Sequence, residues 1–425
     1  MNSNKKINHW IKLQKKNNKI KIKLKKINQL NKWIYNNKDL HHTSGKFFKI
    51  VGISVNSNFG KKKWDQPIII QNENGILGII RKKFNNQYKY LLQAKVEPGN
   101  INKLQLSPTV QATKSNYSRV HGGKKTKFLN FFLKKKNLIK SKQSEQGFRY
   151  LYKFNTNIIV NTKKITNIPN NFYWFSKNDL NYFIKKNNII NMDTISVFSC
   201  FISKNKENYC LNSNNQISKW FNINSKKFFI KRKIVDLKCL KDWSIKNNKI
   251  VHKKNKHFSI IGVKVKTNSR EVLSWEQPII RGKKLAFAGF LVKKFNKTYH
   301  YLSRFVLKPG LKNPNFTCTV NTSDINNFVK NINISNIQKM YLKNYFFNKI
   351  HLKNKIFDNV QSDEGGRFYH SKIRNMIIEI KNDKIIQNNN FIWISHNQMI
   401  DLIKKQKFDI EARLLFASFN FHKII

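Results

Sequence analysis

Gln143-Ser-Glu-Gln-Gly-Phe-Arg149 returns 218 residues later as Gln361-Ser-Asp-Glu-Gly-Gly-Arg367. Working outward from this block extends the match. Upstream, Trp64-Asp-Gln-Pro67 recurs as Trp275-Glu-Gln-Pro278, and Val96-Glu-Pro-Gly99 as Leu307-Lys-Pro-Gly310, both at an offset of 211. Further upstream, Trp33, His42, Phe48, Gly52 and Val55 match Trp243, His252, Phe258, Gly262 and Val265 at an offset of 210. Downstream, Trp174 pairs with Trp393 and Asp193 with Glu411. The order is kept while the offset drifts slightly, which is the mark of gene duplication. A polar stretch at 205–225, rich in Asn, Ser and Lys, separates the copies. The chain then divides into a basic helical segment at 1–30, a first repeat at 31–215 and a second at 216–425.

Both copies carry the same pattern of elements. Period-two alternation predicts strands over 47–55, 64–70, 75–84 and 88–96, and over 258–266, 277–281, 285–295 and 298–307. Mixed three- and four-residue spacing predicts helices over 124–140 and 338–357. A strand follows (157–161; 376–380), then a closing helix (177–186; 396–404) with Ser176 and Ser395 placed to cap it. The fold class is α+β, with each copy a mixed, largely antiparallel sheet flanked by helices.

Composition narrows the function. The 425 residues are 40% apolar and 13% aromatic, enough to bury two cores, so disorder is not the default reading. Lys and Arg number 83 against 21 Asp and Glu, a net charge of +62. Such a balance suggests a nucleic-acid binder. The excess, however, is scattered along the chain, is Lys rather than Arg, and accompanies Asn, Ile and Phe, the residues of A+T-rich codons. C2H2 spacing, a basic-zipper pattern and an aromatic RNP box are all missing, so no specific nucleic-acid partner is indicated. Cys200, Cys210, Cys239 and Cys318 form no CxxC pair or Cys/His cluster, so neither a disulfide framework nor a metal site is expected. No apolar run reaches membrane-spanning length, and the basic N-terminus has no apolar core of a signal peptide, which points to the cytoplasm. P-loop, dinucleotide-binding, Nudix and GxSxG signatures do not occur.

The repeated Gln-Ser block is the sharpest chemical candidate. It sets carboxylates (Glu145; Asp363 and Glu364) beside glycines (Gly147; Gly366) that admit a ligand close to the backbone. Arg149 and Arg367 can grip a phosphate or carboxylate through two N–H groups. Gln143, Ser144, Gln146, Gln361 and Ser362 add neutral donors and acceptors, and Arg374-Asn375 adds a cation that the first copy lacks. The same residues equally suit a capped turn with an internal ion pair. Trp64 and Trp275 are core residues or platforms for a nucleotide base. His121 beside Gly122-Gly123 is a candidate base on a turn.

Taken together, these phrases resemble the nucleotide-hexose 2,3-dehydratases of deoxysugar biosynthesis. The likeness rests on His42-Thr-Ser-Gly-Lys-Phe-Phe48, Glu97-Pro-Gly-Asn100, Ser107-Pro-Thr-Val-Gln-Ala-Thr113, Ser115-Asn-Tyr117, Gln143-Ser-Glu-Gln-Gly147, Asn191-Met-Asp-Thr194, Gln361-Ser-Asp-Glu-Gly-Gly-Arg-Phe-Tyr-His370 and Ile410-Glu-Ala-Arg413. It runs from about Trp10 to Ser418. The resemblance implies tandem Nudix-like modules without Nudix chemistry, a homodimer, and a nucleotide-diphosphate-sugar substrate of the dTDP-4-keto-6-deoxyglucose type. It implies no cofactor. It also implies a product reactive enough to need a downstream reductase. The chain departs from the family pattern at Thr156, at Cys318-Thr-Val-Asn321 and at Lys308, which stands opposite Glu97. On this reading the second block is the chemical centre. Asp363 or Glu364 is the base, Tyr369 or His370 the acid, and Arg367 and Arg374 hold the diphosphate or O4. Trp64, Trp275 and Ser176 contribute to binding, and the first block shares the cleft. The residues alone leave two rivals open: a non-catalytic nucleotide-sugar module and a basic nucleic-acid protein.

Overall fold

A computed structural model describes residues 3–120, 122–133, 137–206, 208–282, 284–325, 335–381 and 390–425. The strands stand where alternation places them: Lys49–Ser57, Lys63–Ile70, Gly75–Phe84 and Gln87–Val96 in the first copy, and Ser259–Thr267, Ser274–Arg281, Leu285–Phe295 and Thr298–Val306 in the second. The expected single sheet is in fact two. Among the described residues each copy contributes one six-stranded and one seven-stranded sheet. Pairing is mostly antiparallel. Parallel pairs join Gly75–Phe84 to Phe154–Asn161 and Leu285–Phe295 to Lys372–Glu379.

The copies exchange strands. The helix expected over 1–30 covers only Ser3–Asn17. Ile20–Lys25, reading IKIKLK, alternates with a period of two and so forms a strand. It pairs antiparallel with Ser259–Thr267 of the second copy, from Ile20 opposite Thr267 to Lys25 opposite Gly262. Ile230–Val235 returns the exchange on Lys49–Ser57. The helix before it, Asn214–Lys227, starts inside the polar stretch, because Ser213 and Gln216 cap it reciprocally. The two apolar cores at the pseudo-axis are therefore shared. One gathers Trp33, Phe48 and Tyr150 with Trp243, Phe258 and Phe368. The other packs the helices Met192–Ser199 and Ile410–Phe419 between the seven-stranded sheets. Trp33 donates to the Glu276 carbonyl at 2.8 Å and Trp243 to the Asp65 carbonyl at 3.1 Å, tying each copy to the other.

The helix expected over 124–140 does not form. Its described residues hold one turn, Asn130–Leu133, and Ile139 already begins a strand. Phe128 and Phe132 instead cover the sheet face, with Phe132 so close over Gly78 that a Cβ there would lie 2.4 Å from its ring. In the second copy Asn336–Tyr341 is helical, passes into a π turn at Leu342–Phe346, and gives way to the strand Lys355–Ser362. The wider turn seats Phe346 against Phe287, ring centroids 5.1 Å apart.

The duplicated Pro-Gly turns dock on the duplicated Gln-Ser blocks crosswise. Gly99 N donates to Gly365 O at 2.7 Å, and Gly310 N donates to Gly147 O at 2.6 Å. A Cβ on Gly99 or Gly310 would lie 1.7 Å from the carbonyl oxygen of Phe368 or Tyr150. Only glycine permits this approach. It brings each block beside the other copy's loops, and this positions the site.

Candidate active site

A cavity of about 310 Å³ opens between the copies. The first copy supplies Phe59, Lys61, Trp64, Gln66, Gln146, Phe148 and Arg149. The second supplies Trp243, Lys256, His257 and Phe258, with Arg304, Asn321, Gln361, Ser362, Asp363, Asn375 and Glu411.

The adjacent carboxylates of the second block face opposite ways. Asp363 lines the cavity. Burial pushes its carboxyl up to about 6, with Arg149 pulling it back towards ionisation and Glu411 adding to the rise. Glu364 turns away and accepts a 2.8 Å hydrogen bond from the Tyr150 hydroxyl. The arginines are exchanged as well. Arg149 of the first block stacks on Phe258 of the second copy, 4.2 Å from ring centre, and reaches this cavity. Arg367 stacks on Phe48 at 4.3 Å, beside the first copy's charged cluster.

Glu411, which the sequence marks as a repeat position and within Ile410-Glu-Ala-Arg413, lines the cavity together with Asp363, Asp65 and Asp242. It sits in the first turn of Ile410–Phe419, with its side chain 20% exposed towards the cavity. Burial raises it, Lys308 opposes and Asp409 adds to the rise. Lys308, with no exposed side-chain surface, reaches Glu411 at 2.6 Å and Asp409 at 2.8 Å. Burial alone would depress its ammonium, but the two carboxylates outweigh that and hold it above its usual range. His257 is driven down to about 4, by burial first and then by His252 and Arg149, and is neutral at neutral pH.

Several expected site residues lie elsewhere. Tyr369 and His370 do not line the cavity; their rings stack on each other at 4.1 Å, and the His370 backbone N–H donates to Gly99 O. Arg374 is held by Asp358 at 2.8 and 2.9 Å, because alternation along Lys372–Glu379 turns it away from Asn375. Ser176 is the cap of the helix Lys177–Ile184, bonded to Asp179. Gln143 is buried and donates to the Ile403 carbonyl, and the Ser144 carbonyl accepts from Arg413. Trp64 lines the cavity, and its indole N–H donates to Gln66, which in turn holds the Phe148 carbonyl. Trp275 makes the same contacts with Gln277 and Gly366, but on the first copy's side. Gly147 packs against Lys308, and Gly366 against Glu364. His121 lies outside the described residues.

The first copy's matching centre is a dense ionic cluster. Burial raises Glu145 to about 7, Arg413 and Lys153 oppose this, and Glu364 adds to it. Asn155 bonds Glu145 at 2.8 Å. Lys153 falls to about 8, by burial, with Glu145 and Glu364 resisting. Burial and Glu364 raise Asp193 well above the carboxylate range. From the second copy, Arg270 reaches in to bond the Val96 carbonyl at 2.9 Å, 3.8 Å from Glu97.

Comparison with known proteins places this arrangement. A family model described as NDP-hexose 2,3-dehydratase matches residues 4–201 and, a second time, 214–419. The chain is 30% identical over 433 residues to a dTDP-4-dehydro-6-deoxy-alpha-D-glucopyranose 2,3-dehydratase of Saccharopolyspora spinosa, covering 92% of this chain and 86% of that one. It is 30% identical over 398 residues to a protein of the same description from Amycolatopsis orientalis, covering 90% and 82%. A third, from Streptomyces violaceoruber, is 30% identical over 402 residues, covering 89% and 88%.

Proposed function

The chain belongs to the NDP-hexose 2,3-dehydratase family, and on that premise we propose that it eliminates water across C2–C3 of dTDP-4-dehydro-6-deoxyglucose in the cavity between its repeats, with Asp363 as base and Glu411 as acid. The observation that carries the assignment is that Asp363 and Glu411 line one cavity, each raised by burial and each beside a cation, Arg149 or Lys308.

The C4 ketone acidifies the C3 proton. Asp363 takes that proton, the C–H electron pair becomes the C3–C4 π bond, and the carbonyl pair moves to O4. The enolate then re-forms the ketone, its electrons make the C2–C3 double bond, and the C2–O bond breaks. Glu411 protonates the departing hydroxide, which leaves as water. The C3 enol takes a solvent proton at C2 and becomes a 3,4-diketo-2,6-dideoxy sugar. No electrons enter or leave, so the reaction needs no redox cofactor. Trp64, Trp243 and Phe258 offer flat faces to the base. Half-buried Lys61 and the exposed Lys256 and Lys372 of the lining suit the diphosphate.

Finer features belong to the same proposal. A Nudix-like form for each repeat is supported by mixed sheets with flanking helices. Exposed Leu24, Ile223, Ile234 and Ile245 support a homodimer. Four unbridged cysteines support a cytoplasmic location, and no helix among the described residues is long and apolar enough to cross a membrane. A vicinal diketone is reactive, which supports a reductase as the next enzyme. Incubation with dTDP-4-dehydro-6-deoxyglucose in D2O tests the function: loss of the C2 hydroxyl with one deuterium gained at C2 is expected, and binding without C2 deoxygenation would refute it.

A further inference from the structure

Arg304 is the one buried cation lining the cavity, among the described residues, that no carboxylate pairs. It lines the wall with Asp363 and Asn321, yet is only 6% exposed. Its Nη2 donates to Asn321 Oδ1 at 2.9 Å and its Nη1 to the neighbouring Phe305 carbonyl at 3.3 Å; both are neutral acceptors. Its Nε has no partner. Asp409, the carboxylate that acts on it, is already committed to Lys308 at 2.8 Å. A buried guanidinium left without an anion is costly to keep, and one that lines a cavity calls for an anion there.

The repeat provides an internal control. Leu302 pairs with Trp393 as Leu91 pairs with Trp174, so Arg304 stands where the first copy has Gln93. The fold accepts an uncharged amide at this position; the arginine is an addition of the second copy. The diphosphate is not its natural partner, since the exposed Lys256 and Lys372 of the lining offer hydrated charge. What does develop beside Asp363 is the enolate.

Building on the assignment of Asp363 as base, we propose that Arg304 is a catalytic residue that donates to O4 and stabilises the enolate formed when the C3 proton leaves. The charge on O4 exists only during reaction, so the donor acts on turnover and not on nucleotide binding.

The test compares Arg304→Gln, Arg304→Lys and Asp363→Asn. Turnover is followed with dTDP-4-dehydro-6-deoxyglucose, C3 hydrogen exchange into D2O by NMR, and binding by titration with dTDP alone. Arg304→Gln is expected to lower kcat by about 100- to 1,000-fold and C3 exchange in parallel, with dTDP affinity unchanged. Arg304→Lys keeps the charge but not the guanidinium's reach and recovers only part of the rate. Should the Gln variant not fold, the Lys variant decides: normal kcat and normal C3 exchange in it would reject the role. Near-wild-type turnover in Arg304→Gln, or a loss confined to dTDP affinity, overturns the proposal. Near-wild-type turnover in Asp363→Asn overturns instead the reading of the site on which it rests.

Discussion

Replacing Asp363 with Asn is expected to stabilise the protein at alkaline pH while silencing it. The folded carboxyl sits at about 6 against an ordinary 3.8, raised by burial. A folded pKa above the unfolded one means that the protonated form favours folding. That contribution is complete below about pH 3.8 and is lost as pH rises through 6. The shift of roughly two units corresponds to about 2 to 3 kcal/mol, the lower figure allowing for the side that faces the cavity. Asn mimics the protonated acid and avoids the cost of burying the anion. The variant should therefore be more stable than wild type by about 2 to 3 kcal/mol at pH 8, by about half that at pH 5, and equal to it below pH 4. Urea unfolding midpoints across this range measure the difference, and shifts from other groups cancel between the two proteins. Turnover should fall by at least about 100-fold, the usual worth of a general base. A variant that is less stable at pH 8, or a difference that ignores pH, would show that Asp363 is not the strained buried carboxylate described above.

The other expectations follow the same geometry. With Asp363 needed ionised, kcat/KM should climb as pH rises through about 6; Glu411→Gln should lower kcat, and a profile in wild type that is flat through pH 6 would speak against Asp363 as the base. Lys308→Met leaves Asp409 and Glu411 buried without their cation and should cost about 3 to 5 kcal/mol, read by denaturant unfolding; an unchanged midpoint would mean that the triad adds nothing. Gly310→Ala forces a Cβ to within 1.7 Å of the Tyr150 carbonyl and should cost about 3 kcal/mol or more and open the cavity between the copies, whereas Gly122→Ala, with nothing within 4 Å of its Cβ but a positive φ, should cost about 1 kcal/mol; equal thermal shifts would remove the docking argument.

The duplication was legible because repeated chemistry survives in sequence: Trp64-Asp-Gln-Pro67 and Val96-Glu-Pro-Gly99 return with their contacts as well as their letters. Alternation located the main strands, since half-buried strands must alternate. It could not reveal that Ile20–Lys25 and Ile230–Val235 change partners between copies, because a strand's pattern names its buried face and not its neighbour. The same limit explains the site. The block residues 143–149 and 361–367 were visible as candidates, but their division between two centres comes from the crosswise docking of Gly99 and Gly310. Arg149 and Arg367 therefore serve opposite copies. Glu411 lay within Ile410-Glu-Ala-Arg413 and opposite Asp193 with nothing to set it in the cavity, and Arg304 had no signal beyond standing opposite Gln93; an ionisable residue facing a different side chain at the same repeat position was the hint available. Tyr369 and His370 followed the block in sequence but not in space.

The central claim is that chemistry resides in the cavity holding Asp363 and not in the first copy's matching cluster around Glu145. Single-turnover formation of the 3,4-diketone, trapped with o-phenylenediamine, tests it in Asp363→Asn and Glu145→Gln side by side. The account predicts that Asp363→Asn loses at least about 100-fold while Glu145→Gln stays within about tenfold of wild type. Abolished turnover in Glu145→Gln with activity kept in Asp363→Asn would place the reaction in the other repeat and contradict it.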